Sequence, residues 1–200
     1  MTSVDWSVTH AINGFMAGHD AVEDPLRDYV DGARIGFAAL IAALFLLSRG
    51  AVRFQLRRAA VVAGLAAAVS LGLASLIAHA VDRARPFVTH AGVHLFSAHA
   101  ADAGFPSDHA TAAFAIGTAI FLRHRAWGAA VLVLAAVLAF GRVAMGLHYP
   151  SDVVAGAALG TATALGLWAP PVRRRVDAIA DRLGATWDIA LARARLAWRS

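Results

Sequence analysis

The chain contains no cysteine. A disulfide framework, a thiolate nucleophile and a cysteine metal site are therefore excluded. Lysine is absent too, so all 18 basic residues are arginine. That removes a P-loop lysine, a Schiff base and a lysine general base. Charge is scarce: 16% of the 200 residues are charged and 59% are hydrophobic. The mean hydropathy of +0.61 lies far above that of a soluble domain. The net charge is +5, but the arginines stand between long apolar runs. Membrane proteins place them so, and no nucleic-acid patch is formed.

Five apolar runs can be marked: Ile35 to Ser48, Ala59 to Val81, Ala110 to Leu122, Ala126 to Gly141 and Val153 to Val172. A membrane helix needs about 17–25 apolar residues. Two runs are long enough alone; the other three must borrow flanking residues such as Arg34, Ser107 and Tyr149. A soluble alanine-rich bundle would suit any single short run, but the set leaves little polar face for water. The arginines orient the runs. Arg49, Arg53, Arg57 and Arg58 fill one linker, Arg123 and Arg125 a second, and Arg173, Arg174 and Arg175 a third. If all five runs cross, these linkers share one side, which the positive-inside rule makes cytoplasmic. Residues 1–32, 82–108 and 142–152 then face outward, and the first of these is rich in acids.

The expected fold is an all-α integral membrane protein with five full transmembrane helices. Residues 4–18 are read as an interfacial or re-entrant helix on the outer face. Residues 176–198 space Val176, Ile179, Leu183, Trp187, Leu191, Ala194 and Trp198 at threes and fours. That pattern predicts an amphipathic helix on the cytoplasmic membrane surface or in a subunit contact. The expected division is 1–32 as the outer-face segment, 33–172 as the transmembrane catalytic domain and 173–200 as the cytoplasmic tail.

Ionisable residues at a membrane edge are costly and point to function. Here they form three clusters: Asp82-Arg83-Ala84-Arg85-Pro86-Phe87, Phe105-Pro106-Ser107-Asp108-His109, and the stretch from Gly141 to Asp152. The predicted topology brings all three to the outer face. Arg85 and Arg142 offer planar donor forks for phosphate oxygens. Ser107 starts a helix, whose free N–H groups form an anion site. His109 and His148 can move protons near pH 7. Asp152 follows His148 by four residues, close enough to orient the ring if a helix starts there. Together these suggest phosphoryl transfer through a phosphohistidine on a lipid headgroup. Plainer roles exist for each: the arginines as interfacial anchors, Ser107 as an N-cap, Asp108 as a first-turn acid. His90, His94 and His99 make a loose series that could hold zinc, although a solvated loop fits the spacing better.

These motifs resemble the type-2 phosphatidic acid phosphatase superfamily of integral-membrane lipid phosphatases. Its signature joins a lysine and an Arg-Pro, then Pro-Ser-Gly-His, then Ser-Arg followed by His and Asp. Here the parts appear as Arg85-Pro86, Pro106-Ser107-Asp108-His109, and Arg142 with His148 and Asp152 at the signature's spacing. The lysine position falls on Ala78, Asp108 replaces the glycine and Gly141 replaces the serine. His79 and Arg83 stand near enough to supply the missing charge. The wording around Arg85 and His109 is similar to the bacterial undecaprenyl-diphosphate phosphatase branch.

The resemblance implies that His148 attacks the terminal phosphorus, Asp152 holds the imidazole and His109 protonates the leaving oxygen. It implies that Arg85, Arg142 and Ser107 bind phosphate, with Asp108 and Arg83 assisting. It requires no metal and no cofactor. The implied substrate is an undecaprenyl or other long-chain isoprenyl diphosphate, whose hydrolysis recycles the cell-envelope carrier lipid. Peptidoglycan synthesis and bacitracin resistance are the associated processes. Phosphatidate, phosphatidylglycerol phosphate or lipid A would need the same clusters. The expected location is the bacterial plasma membrane with the site facing the periplasm or outside, and the bilayer is the expected partner.

Overall fold

The computed structural model describes residues 3–198, so residues 1–2 and 199–200 of the expected end segments lie outside the described part. The described residues form helices and connecting segments, with no strand among them. The helices are α1 (Ser3–Met16), α2 (Asp20–Leu46), α3 (Arg53–Val81), a one-turn α4 (Pro86–Thr89), α5 (Asp108–Phe121), α6 (Arg125–Ala144), α7 (Pro150–Leu167) and α8 (Pro170–Ala197). A 3-10 turn at Gly50–Val52 precedes α3.

Three of these segments are long and apolar enough to cross a membrane: Asp20–Leu46, Arg53–Thr89 and Arg125–Ala144. A fourth qualifies if α7 and α8, bent by 82° at their junction, count as one broken span. The bend follows from Pro170 and Pro171 directly after Ala169, which cannot continue a helical ladder. The five-crossing expectation thus exceeds what length and composition qualify. The shortest of its five runs is α5, whose 14 residues span about 21 Å at 1.5 Å per residue.

α5 is the hub of the bundle, packed against α3, α6 and α7. Nine of its residues are buried, including Ala113, Ile116 and Ile120. The α5–α7 contact is backbone to backbone. A Cβ added at Gly160 would lie 2.1 Å from the Thr111 carbonyl oxygen, and one at Gly156 would lie 2.6 Å from that of Ser107. Glycine at these two positions lets α7 lie directly on the first turns of α5, which carry Ser107 and His109.

α2 starts earlier than its apolar run. Asp20 and Glu23 stand in its first turn, where acids favour the helix dipole. Arg27 then pairs with Glu23 at 3.1 Å and Asp24 at 2.7 Å. The helix therefore runs unbroken across residues 32 and 33. At 27 residues it is about 40 Å long, longer than the roughly 30 Å hydrocarbon core.

Each end of the bundle is fastened by polar contacts. At one end α1 lies against α6, α7 and α2. Its buried Asn13 donates to the carbonyls of Ala144 (2.8 Å) and His94 (2.9 Å), and accepts from the His94 N–H (2.9 Å). At the other end α8 is tied by arginine–aspartate pairs. Arg57 grips Asp188 at 2.9 and 2.8 Å, Arg58 grips Asp181 at 2.8 and 2.6 Å, and Arg123 pairs with Asp177. Val176, Ala180 and Gly184 form the buried face of α8.

Candidate active site

Four local structures converge at the α1 end. α3 stops at Asp82, whose left-handed φ of +43° turns the chain and sends Arg83 and Arg85 back toward the bundle. Pro86 then opens α4, as suits a residue lacking an N–H. Ser107 is the N-cap of α5. The α6–α7 connection turns at Gly146, with φ of +71°, and presents His148. The Asp152 carboxylate caps this turn by accepting the Tyr149 N–H at 2.8 Å. Its own carbonyl accepts the Ser107 N–H at 3.0 Å, which locks the start of α7 to the start of α5.

His148 is 1% exposed. Its Nε2 lies 2.9 Å from Arg85 NH1 and 3.2 Å from Arg142 NH2. Guanidinium groups only donate hydrogen bonds, so Nε2 must be the unprotonated, accepting nitrogen. Nδ1 therefore carries the proton and donates it to the Gly104 carbonyl at 2.8 Å. The tautomer follows from the partners: a lone pair at Nε2 points between two cations. Burial, then the charges of Arg142 and Arg85, hold this imidazole well below the usual histidine range. It is neutral at pH 7 and able to act as a nucleophile.

The two guanidinium groups are themselves braced. Arg85 donates to Asp102 (2.8 Å), the Leu147 carbonyl (3.1 Å) and the Ala103 carbonyl (3.4 Å). Arg142 donates from NH2 to His99 Nε2 at 3.0 Å. Its Nε is buried without a partner, and so is the Ser107 hydroxyl. Buried polar groups are nearly always satisfied. Unfilled donors beside an imidazole lone pair mark a place shaped for an anion such as a phosphoryl group.

The structure therefore gathers Arg85, Arg142 and His148, with Ser107 tied to the same region through its N–H bond to the Asp152 carbonyl. Asp152 is fully buried beside them, but its Oδ2 is 3.7 Å from His148 Nδ1, beyond hydrogen-bonding range. The Gly104 carbonyl takes the orienting position that spacing suggested for Asp152. Arg83 is directed away from the imidazole. It donates to Asp152 Oδ1 (2.7 Å), the Ser151 hydroxyl (2.6 Å) and Asp5 (2.8 Å), and its guanidinium stacks 4.3 Å from the Tyr149 ring. Asp5 also accepts the Ser151 N–H and hydroxyl. Although burial opposes ionisation, these bonds from Ser151 and Arg83 keep Asp5 below the usual carboxylate range.

His109 and Asp108 line a mostly apolar cavity of about 430 Å³ together with Arg34 of α2. A second apolar cleft, open to the surface and reaching Trp187 on α8, shares Ile41 and Gly64 with the first, so apolar surface between α2 and α3 extends from His109 toward α8.

The three loop histidines go to different places. His90 stacks on Trp6 with centroids 3.6 Å apart, His94 binds Asn13 through its backbone, and His99 sits on Arg142. Among the described residues no three His, Asp or Glu side chains gather as a metal site. The loop reaches the site through His99 and Gly104, while most of residues 88–102 stay exposed to solvent. His99, Gly104, Asp5 and Arg34 are the participants that sequence reasoning missed. Gly104 acts through its carbonyl, which no side-chain pattern signals, and Asp5 lies 146 residues from Ser151.

The profile of the PAP2 superfamily matches residues 59–175, which include all three clusters. The chain belongs to the PAP2 superfamily. It is an enzyme, a phosphatase. It is similar to undecaprenyl-diphosphatase BcrC of Bacillus subtilis, with 33% identity over 152 residues, covering 76% of each chain. It is also similar to lipid A 1-phosphatase of Rhizobium etli, with 41% identity over 92 residues, covering 44% of this chain and 40% of that one. Its fold matches the crystal structure of Aquifex aeolicus LpxE with a TM-score of 0.63 and 21% identity, over 82% of this chain and 94% of the other.

Proposed function

We propose that this phosphatase removes the terminal phosphate of a long-chain isoprenyl diphosphate, in particular undecaprenyl diphosphate, through a phosphohistidine. The observation that carries the proposal is the Nε2 lone pair of His148 held between Arg85 and Arg142, with the Ser107 hydroxyl at the head of α5 buried and unbonded. A phosphoryl group entering there finds its oxygens met by fixed cations and the first N–H groups of α5. Such preorganised charge is usually the largest catalytic contribution.

The chemistry follows in two steps. Nε2 attacks the terminal phosphorus in line, and the bond to the bridging oxygen breaks with its electron pair leaving on that oxygen. His109, at the head of the apolar surface between α2 and α3, gives or shares a proton with the departing lipid phosphate. It then takes a proton from the water that attacks the phosphohistidine, releasing inorganic phosphate and restoring the free imidazole. As positive charge grows on the ring, Nδ1–H is held by Gly104, while the Asp152 carboxylate at 3.7 Å stabilises it electrostatically. Arg83 and Asp5 keep that carboxylate in place. Arg85 and Arg142 supply the charge a metal ion would bring, so the reaction proceeds without one.

Two features favour the isoprenyl diphosphate over lipid A. The diphosphatase relative aligns over 76% of both chains, against 44% and 40% for the lipid A relative. The apolar surface between α2 and α3 suits one long apolar chain. From Arg34 to Phe45 it follows α2 for about 17 Å at 1.5 Å per residue.

In this reading α2, α3, α5, α6 and α7 cross the plasma membrane. α1 lies at the periplasmic or outer face with the site, and α8 lies on the cytoplasmic surface, where the arginine-rich linkers belong. Residues 33–172 form the catalytic domain between segments 1–32 and 173–200. Single cysteines at Gln55 and Val93 should be labelled only from the cytoplasm and only from outside, respectively; labelling from one side excludes this topology. The activity is tested by phosphate release in detergent with EDTA throughout, from undecaprenyl diphosphate, phosphatidate and lipid A. The diphosphate should give the highest kcat/KM, and His148→Ala should abolish release. Faster release from either other lipid, or dependence on added metal, contradicts the proposal.

A further inference from the structure

We propose that Arg34 binds the lipid-linked phosphate of a diphosphate substrate and selects diphosphates over phosphate monoesters. The inference rests on the diphosphatase reading above and adds a residue to it from a helix outside all three sequence clusters.

Two arginines at this end of the bundle lack a carboxylate partner. Arg27, Arg83 and Arg85 each pair with an acid. Among the described residues, Arg34 and Arg142 have no ion pair. Arg142 stands beside His148, and Arg34 lines the same cavity as His109. Asp31, one turn before Arg34, instead accepts the Ser97 hydroxyl, whose oxygen lies 3.1 and 2.9 Å from its two carboxylate oxygens. Arg34 stands where the acidic first turns of α2 give way to its apolar run, and an unpaired cation at such a membrane edge points to function.

Its position fits the chemistry of a diphosphate. Arg34, Ala38 and Ile41 face the cavity at helical spacing, and Asp108 and His109 close its polar end. The cavity below them is apolar, so a lipid lying there has its first polar group between Arg34 and His109. With the terminal phosphorus at His148, that group is the second phosphate. When the bond from phosphorus to the bridging oxygen breaks, the electron pair passes to this phosphate, and its charge rises. A guanidinium aimed there stabilises the transition state more than the ground state. A phosphate monoester leaves as an alcohol and offers Arg34 nothing to hold.

The test compares wild type, Arg34→Gln and Arg34→Lys in detergent. The readouts are kcat/KM for undecaprenyl diphosphate, kcat/KM for phosphatidate and the inhibition constant of inorganic phosphate. Arg34→Gln should lower kcat/KM on the diphosphate by about 10²-fold, the scale for losing one charge-stabilising donor. It should change the phosphatidate rate and the phosphate inhibition constant by less than about threefold, because the His148 side is untouched; Arg34→Lys should recover part of the loss. Arg34 is exposed on α2 and makes no ion pair, so the thermal midpoint should stay unchanged. An equal fall on both lipids, a matching rise in the phosphate inhibition constant, or no fall at all overturns the role of Arg34. Wild-type enzyme that prefers phosphatidate overturns the diphosphatase reading itself, and this inference with it.

Discussion

Replacing Gly160 by alanine tests whether the α5–α7 seam sets the geometry of the site. The added Cβ would sit 2.1 Å from the Thr111 carbonyl oxygen and 2.8 Å from the Ala115 nitrogen. Both are backbone atoms of α5 and cannot swing aside. Ordinary carbon–oxygen contacts are about 3.3–3.6 Å, so the helices must separate or slide by roughly 1.2 Å. Overpacking of this kind costs about 1–3 kcal/mol. A misplacement near 1 Å between groups that act together can slow turnover about 10²-fold. α5 carries Ser107 and His109, while α7 carries Asp152, so the shift falls across the site. Gly166 on the same helix is the control: nothing lies within 4 Å of its Cβ position. Alanine there should be neutral or slightly stabilising, since it is the better helix former. Thermal unfolding and initial rates in detergent give both readouts. If Gly160→Ala and Gly166→Ala behave alike, close packing does not position the site.

Asp152→Asn should lower turnover more than tenfold with little change in KM, and destabilise the protein by about 1–3 kcal/mol. Both carboxylate oxygens accept hydrogen bonds, from Tyr149 N–H and Arg83, and an amide can satisfy only one; near wild-type kinetics would leave Asp152 as a helix-start residue alone. In substrate-free enzyme, nitrogen NMR should show His148 neutral at pH 6.5 and protonating only well below it. Arg142→Gln should move that titration upward, because it removes a positive neighbour that disfavours the imidazolium; a wild-type value at or above 6.5, or no upward movement, refutes the electrostatic account.

Much of the site is legible from side chains with short-range spacing. Arg85-Pro86, Ser107 next to His109, and Arg142 six residues before His148 all reflect local turns and helix starts, and the fold brings these clusters together. The orienting contact is different. Four residues separate His148 from Asp152, which suggests a carboxylate–imidazole bond. The capping of Tyr149 and the pull of Arg83 hold the carboxylate at 3.7 Å, and a backbone carbonyl from the loop fills the gap. Arg83 reads from the sequence as a phosphate ligand. Its partner Asp5 comes from α1, and no local pattern reveals that pairing. Arg34 reads as a polar edge to an apolar run, because no local pattern shows that α2 packs beside α5 and lets Arg34 line a cavity with Asp108 and His109. α5 looks like a short crossing since its apolar residues are not confined to one face; the structure explains this by burying it among three helices.

The central claim is that His148 Nε2 attacks phosphorus. The direct measurement is rapid mixing of enzyme with undecaprenyl diphosphate labelled on the terminal phosphorus, an alkaline quench within one turnover, and mapping of the label. The expected result is an acid-labile, alkali-stable phosphoenzyme labelled on His148 and lost in His148→Ala. His109→Ala should form some of it and hydrolyse it slowly. Label on His109, or turnover with no phosphoenzyme at any quench time, would contradict the account.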